Sequence, residues 1–146
     1  MNNWYDKYVG FTHRHLGEDP ATGIDCVNLL RLVYKEELGV EMPLTSSDFC
    51  NIVDETWYNK TTTQFFEEGI KVKNGDFDWV RVDTPQKYDI ILMSIGSTNV
   101  TNHCAMYLGD GKILQTMLNR NSGVYPYKNW FKQYTTGIYR WKNLVN

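Results

Sequence analysis

Three side chains in this sequence have the types that catalysis by a sulfur nucleophile requires. Cys26 can supply a thiolate, His103 a general base, and Gln115 an acceptor that orients the imidazole ring. The thiolate is the reactive form of cysteine, and a free thiol has a pKa of about 8.5. The chemistry therefore depends on the elements that would bring these residues together and favour the charged sulfur.

Cys26 lies at the predicted first turn of a helix. In the stretch ATGIDCVNLLRLVYKEELG, apolar residues recur at helical spacing, Asp25 suits an N-cap and Gly39 suits a C-terminal stop, which predicts a helix over 25–38. A helix N-terminus carries about half a positive charge and unpaired N–H groups, which stabilise a thiolate and can hold an oxyanion. The alternative is a buried apolar cysteine, because free cysteines are often buried.

His103 and Gln115 meet only if the chain forms a hairpin with the right register. HCAMYL, 103–108, and KILQTM, 112–117, alternate like strands around Gly-Asp-Gly. A three-residue loop places both side chains on one face, with Gln115 diagonal to His103. A two-residue Asp-Gly loop would shift the register by one and move Gln115 to the other face. A lone histidine at a strand end is otherwise more often structural.

The order of the predicted elements favours an α+β fold. Residues 2–10 suit a short helix or turn, 11–23 read as a loop, and 45–69 look helical in two pieces. The strand patterns cover 78–82, 87–93, 103–108, 112–117 and 137–141. Helices that precede an antiparallel sheet are typical of the α+β class.

Length and composition exclude several functional classes. The 146 residues predict one domain, 1–146, long enough to bury a core. The net charge of −2 is scattered, so we expect no nucleic-acid partner, and no apolar run predicts a membrane span. The start, MNNWYDKYVG, lacks the features of a signal peptide. We therefore expect synthesis in the cytoplasm, with another component carrying the protein if it acts outside a cell.

A metal site is a weaker interpretation. The side chains of ligand type are those of His13, His15, Cys26 and His103. His13 and His15 fall in a predicted loop and no second local pair exists, so we predict neither a metal nor a cofactor. We expect Cys50 and Cys104 to fill the core, with Cys104 pointing away from His103.

Four stretches carry a resemblance to a known family. They are YVGFTHRHLGEDPATGIDC, LLRLVYKEELGVEMP, YDIILM and HCAMYLGDGKILQ. The chain resembles the NlpC-type cell-wall peptidases, which are papain-like cysteine hydrolases, and within them a phage tail-associated branch. The resemblance implies a papain-like α+β fold with Cys26 as nucleophile, His103 as base and Gln115 as orienter. It also implies thioester-based cleavage of amide bonds in peptidoglycan stem peptides, with other tail proteins as partners in a virion.

The sequence departs from the family pattern near the nucleophile. Val27 and Asn28 stand where the family has a small residue and glycine, and Asn28 could cap, pack or line the cleft. Thr12 and His13 stand near the family's upstream tyrosine. His13 could donate a hydrogen bond in its place or lie solvated in a loop. Tyr88 replaces a glycine, which would be only a changed turn.

Two further functions remain open at the level of sequence. The domain could be a structural or binding module of a tail tip with little turnover, because residues around the nucleophile are altered. Alternatively, the same thioester could be resolved by an amine, giving acyl transfer, or could serve deamidation.

Overall fold

The computed structural model describes residues 2–42, 79–96, 103–117 and 120–145. The predicted helical region 45–69 lies outside these ranges, with Cys50 in it. In the described ranges, no helix has the length and apolar character needed to span a membrane.

The described elements are short helices and one larger sheet. The helices are α1 (Cys26–Val33) and α2 (Trp130–Gln133), with 3₁₀ turns at Asp6–Tyr8 and Lys142–Leu144. The strands are β1 (Glu18–Asp19), β2 (Gly23–Ile24), β3 (Trp79–Arg81), β4 (Ile90–Met93), β5 (His103–Gly109), β6 (Lys112–Met117), β7 (Arg120–Pro126) and β8 (Thr135–Trp141).

The larger sheet has six strands in the order β3-β8-β4-β5-β6-β7, and each of these pairs is antiparallel. The last described strand, β8, lies between β3 and β4, so the C-terminal segment connects β3 to the rest of the sheet. Within β4 and β5, Met93 lies opposite His103. The predicted α+β class is confirmed.

The helix predicted over 25–38 is present in two parts, α1 (Cys26–Val33) and the turn that continues it to Leu38. Asp25 is the N-cap, and Gly39 takes the left-handed conformation, with φ +67°, after a wider π-type turn over Tyr34–Leu38. Acidic residues near a helix C-terminus are disfavoured by the dipole. The structure offsets this cost because the Lys7 ammonium lies 2.9 Å from Glu37, whose carboxylate also accepts the Tyr8 hydroxyl.

The two faces of the sheet bury separate apolar clusters, which follow the alternation of the strands. The face covered by α1 contains Ile90, Leu92, Cys104, Met106 and Leu114. The other face contains Ile91, Met93, Ala105, Ile113 and Ile138. Helix α1 joins the first cluster through its own buried side chains, which include Cys26, Leu29, Leu30 and Val33. This packing brings the start of α1 against the start of β5.

Three segments differ from the sequence prediction. Residues 11–23, expected as a loop, contain β1, which pairs with β2. Strand β7 was not predicted because RNSGVYP contains Asn, Ser and Gly, which have low strand propensity. It forms because its backbone pairs with β6. The single turn of α2 was not predicted either.

Candidate active site

The N-terminus of α1 presents Cys26 at the first helical position. Asp25 precedes it in extended conformation, and its carboxylate accepts the Asn28 backbone N–H at 2.9 Å. The predicted cap is therefore confirmed. The first N–H groups of a helix have no acceptor inside the helix. With the Asn28 N–H taken by the cap, the N–H groups of Cys26 and Val27 are the ones that helix geometry leaves without an acceptor inside the helix.

A tight loop contact fixes the approach to this helix start. The Gly17 carbonyl accepts the Asp25 backbone N–H at 3.1 Å and the Asn28 side-chain amide at 3.0 Å. A Cβ at Gly17 would collide with the backbone carbonyl of Gly23, so only glycine fits there. Gly17 thus holds the preceding loop against the residues that flank Cys26.

The contacts of Asn28 favour one of its three predicted roles. Its amide nitrogen donates to Gly17, and its amide oxygen accepts from the Arg31 guanidinium at 3.1 Å. The residue is buried. These contacts favour packing between loop and helix, while a direct part in substrate binding stays a prediction.

The β5–β6 hairpin has the register that brings His103 and Gln115 together. Its loop is only the two residues 110–111, both with positive φ, as in a type I′ turn. A register shift between Tyr107 and Gly109 adds one residue to β5. A two-residue loop alone would shift the pairing by one residue and move Gln115 to the opposite face of the sheet. The extra residue in β5 compensates for this shift, so Gln115 lies on the face predicted for a three-residue loop.

Gln115 holds the imidazole ring directly. The His103 Nε2 and Gln115 Oε1 atoms lie 2.7 Å apart, and both residues are buried. An amide oxygen only accepts hydrogen bonds, so Nε2 carries the proton. Nδ1 is then the ring nitrogen left to act as a base.

The Cys26 thiol contacts two neighbouring side chains of β5. The Cys104 thiol and the His103 ring both lie beside its sulfur. Interaction with Cys104 contributes most to holding the pKa of Cys26 well below its usual value; burial opposes it, and interaction with the His103 ring and its charge reinforces it. Cys26 is 8% exposed and His103 6%, so both residues are buried. The structure thus brings together Cys26, His103 and Gln115.

The contact with Cys104 was not predicted. Cys104 is buried and packs with Leu92 and Met106 under α1, as expected for a core residue. Its thiol nevertheless lies near the Cys26 sulfur. Alternation along β5 indicates the face that Cys104 occupies, but only the position of α1 on that face reveals the contact.

His13 lies against the strand that carries Gln115. Its Nδ1 is 3.4 Å from the Thr116 hydroxyl, and its backbone forms an isolated bridge with Ile24. The side chain is half-buried, so it is only partly solvated. Its predicted part in substrate binding is not tested by these contacts. Within the four described ranges, no group of three His, Cys, Asp or Glu residues is arranged to hold a metal ion.

Tyr88 occupies a turn position of the kind that favours glycine. Its φ is +76°, in a region that is uncommon for other residues. The Tyr88 carbonyl accepts the Tyr34 hydroxyl at 2.7 Å, and its N–H donates to the Tyr107 carbonyl at 2.9 Å. These bonds hold the turn before β4 despite the change of residue type.

Comparison with known proteins gives a family match over most of the chain. The model of the NlpC/P60 family matches residues 10–140. Gamma-DL-glutamyl hydrolase of Bacillus subtilis (strain 168) is 22% identical over 143 residues, which cover 96% of this chain and 28% of that protein. Murein DD-endopeptidase MepH of Escherichia coli (strain K12) is 23% identical over 110 residues, which cover 75% of this chain and 32% of that protein. The chain thus spans about a third or less of these relatives.

Solved structures share the fold. The NlpC/p60 domain of the peptidoglycan hydrolase SagA gives a TM-score of 0.55 at 18% identity, covering 92% of this chain and 90% of that one. An NlpC/P60 family protein from Bacillus cereus ATCC 10987 gives a TM-score of 0.59 at 20% identity, covering 92% of this chain and 36% of that one. These likenesses show the fold.

Proposed function

Because the chain belongs to the NlpC/P60 family, we propose that it is a cysteine hydrolase that cleaves amide bonds in peptidoglycan stem peptides. One observation carries the proposal: Cys26, at the start of α1, contacts His103, whose ring is held by Gln115 at 2.7 Å. Relatives named as a murein endopeptidase and a glutamyl hydrolase support the substrate class.

In the first half of the reaction, Cys26 forms a bond to the substrate. The thiolate attacks the amide carbonyl carbon, and the carbonyl oxygen becomes an oxyanion that the Cys26 N–H can stabilise. His103, protonated on both ring nitrogens, gives its Nδ1 proton to the nitrogen of the leaving amine. The C–N bond breaks, the amine departs, and the acyl group remains on sulfur as a thioester.

In the second half, water releases the acyl group. Nδ1 of His103 takes a proton from the water as its oxygen attacks the thioester carbonyl. The C–S bond then breaks, which frees a carboxylic acid and returns Cys26 to its thiolate. Gln115 keeps the ring orientation through both halves, because its amide oxygen accepts the Nε2 proton throughout.

The test compares the parent protein with Cys26→Ala on purified peptidoglycan. Mass spectrometry of the soluble fragments should show newly separated stem peptides for the parent and none for the variant. Val145→Ala, at a 43% exposed residue, serves as the matched control and should cleave normally. Cleavage by folded Cys26→Ala would remove Cys26 as the nucleophile.

The same spectra separate the alternatives. A product that carries a new amine in place of the acid would indicate acyl transfer from the thioester, and loss of ammonia without chain cleavage would indicate deamidation. A folded parent protein that cleaves no peptidoglycan would favour a structural or binding module.

The finer proposal is that the domain acts within a phage tail, and it rests on the resemblance of the four sequence stretches. Its partners would then be other tail proteins. Proteomic analysis of purified phage particles should find the chain among the tail components. Its absence from particles whose genome encodes it would contradict this setting.

A further inference from the structure

The Gln115 amide is buried although the residue opposite it has no side chain. Gln115 pairs with Gly123 across β6 and β7, and directly paired residues point to the same face of a sheet. Gly123 therefore offers nothing to cover the amide, yet Gln115 is only 1% exposed. Another side chain must keep water from this side of Gln115.

The Tyr125 ring lies where that cover is needed. Tyr125 comes two residues after Gly123 and pairs with Ile113, so its side chain leaves the sheet on the same face as Gln115. The ring leans back along β7, because a Cβ at Gly123 would lie 3.2 Å from Tyr125 Cε2 and 3.4 Å from its hydroxyl oxygen. The Phe131 ring contacts Tyr125, with centroids 5.8 Å apart, and supports this orientation. The ring thus takes the place of a side chain opposite Gln115.

A second glycine shows what this arrangement does where no polar group lies opposite. On β8, a Cβ at Gly137 would lie 2.9 Å from Tyr139 Cε2, and Gly137 pairs with the apolar Leu92. There the ring can only pack. In β7 the same arrangement covers an amide whose oxygen lies 2.7 Å from His103 Nε2. Water that reached this bond would compete with the ring nitrogen for the Gln115 oxygen.

We propose that Tyr125 is a positioning residue that shields the hydrogen bond between His103 and Gln115 from water and thereby keeps the imidazole in one tautomer. The inference rests on the proposed role of His103 and adds a residue that acts on it through Gln115. A hydrogen bond in a water-poor environment is stronger than the same bond in water. With the proton held on Nε2, Nδ1 remains the basic nitrogen.

The test follows the His103 ring by NMR in the protein without substrate, and the signal missing from His103→Ala identifies it. Tyr125→Val and Tyr125→Thr keep a residue suited to a strand but too short to reach over Gly123, while Tyr125→Phe keeps the ring. Val124→Ala is the matched control, because Val124 lies on the same strand and packs against the cluster on the other face. Thermal unfolding identifies the variants that remain folded.

The parent should show a neutral ring protonated on Nε2, with slow exchange of that proton. In Tyr125→Val and Tyr125→Thr, exchange with water should become about tenfold faster and the second tautomer should appear. Peptidoglycan cleavage should fall about three- to tenfold, less than for Gln115→Ala, because the acceptor is still present. Tyr125→Phe and Val124→Ala should resemble the parent. Gly123→Val added to Tyr125→Val puts an apolar side chain opposite Gln115 and should restore part of the slow exchange.

Unchanged exchange and an unchanged tautomer in folded Tyr125→Val or Tyr125→Thr would overturn the proposal and leave Tyr125 as packing alone. Failure of this inference differs from failure of the proposed function. The NMR measurement needs no substrate, so an unchanged ring contradicts only the role of Tyr125. Peptidoglycan cleavage by folded Cys26→Ala would instead contradict the hydrolase mechanism.

Discussion

The two ends of the β4–β5 pair both bury polar groups, but the groups differ in kind. At one end, just before β4, the fully buried Asp89 carboxylate receives Arg140 Nε at 2.8 Å and Nη2 at 2.7 Å. At the other end, His103 lies opposite Met93 and contacts Cys26 and Gln115. One strand pair thus carries both a buried ion pair and the candidate site.

The ion pair has fixed charges, whereas the candidate site has exchangeable protons. The Asp89 carboxylate also accepts the Gln86 N–H at 2.7 Å, and its contact with Arg140 raises the pKa of that guanidinium further. The Arg140 guanidinium therefore keeps its proton near neutral pH. At the site, the pKa of Cys26 is lowered while that of Cys104 is raised. Mutations at the ion-pair end should therefore change stability, and those at the site should change turnover.

The largest expected effect is on turnover, at His103. His103→Ala removes the proposed general acid for the leaving amine, so peptidoglycan cleavage should fall by about a thousandfold or more. His15→Ala is the matched control and should retain turnover. Rates are compared by fragment release at equal concentrations of folded protein. If His103→Ala cleaved peptidoglycan at a rate within a few fold of the parent, the polar groups at this end of the strand pair would not be the ones that govern turnover.

The next effect is on stability, at Arg140. Arg140→Met leaves the Asp89 carboxylate buried without its charged partner, which should lower the free energy of unfolding by about 3 kcal/mol. Denaturant unfolding measures the loss. The double variant Asp89→Asn with Arg140→Met removes both charges and should recover part of it. An Arg140→Met protein as stable as the parent would show that the pair is not structural.

A smaller change in turnover is expected at Gln115. Gln115→Ala removes the acceptor that orients the ring, but water can partly replace it, so the rate should fall about ten- to a hundredfold. Gln115→Glu keeps an oxygen acceptor and should lose less. A loss as large as that of His103→Ala would mean that Gln115 does more than orient the imidazole.

Local patterns in the sequence predict much of this arrangement. The cap at Asp25, the stop at Gly39 and the strands β5 and β6 depend on neighbours along the chain, so spacing and propensity reveal them. The pairing of His103 with Gln115 was predicted for a three-residue loop. The structure reaches the same pairing through a two-residue loop and a bulge. Residue types alone do not distinguish this arrangement from a three-residue loop.

Contacts between distant segments could not be predicted in this way. The proximity of Cys26 to Cys104 depends on how α1 lies across the sheet. The placement of His13 beside Thr116 depends on where the N-terminal loop crosses β6. Strand β7 has little propensity of its own and forms through its partner β6.

The smallest expected effect is at the cluster of Lys7, Tyr8 and Glu37, which is less buried than the Asp89–Arg140 pair. It tests whether this cluster, like that pair, affects stability and not turnover. Glu37 accepts the Tyr8 hydroxyl at 2.6 Å and meets Lys7. These contacts, the Tyr8 bond first, hold the pKa of Glu37 below its ordinary value of 4.5. A carboxyl group with a depressed folded pKa adds stability above its unfolded pKa, and this contribution is lost as the pH falls through the folded value.

Glu37→Gln should therefore lower the free energy of unfolding by less than about 1 kcal/mol at neutral pH, because the cluster is partly solvated. The difference from the parent should shrink as the pH falls below about 4.5, the ordinary value of the group. Denaturant unfolding at several pH values measures it, with turnover at neutral pH unchanged. A stability difference that persists in acid would assign the effect to packing rather than charge, and a loss of turnover would place this cluster with the candidate site instead of with Asp89 and Arg140.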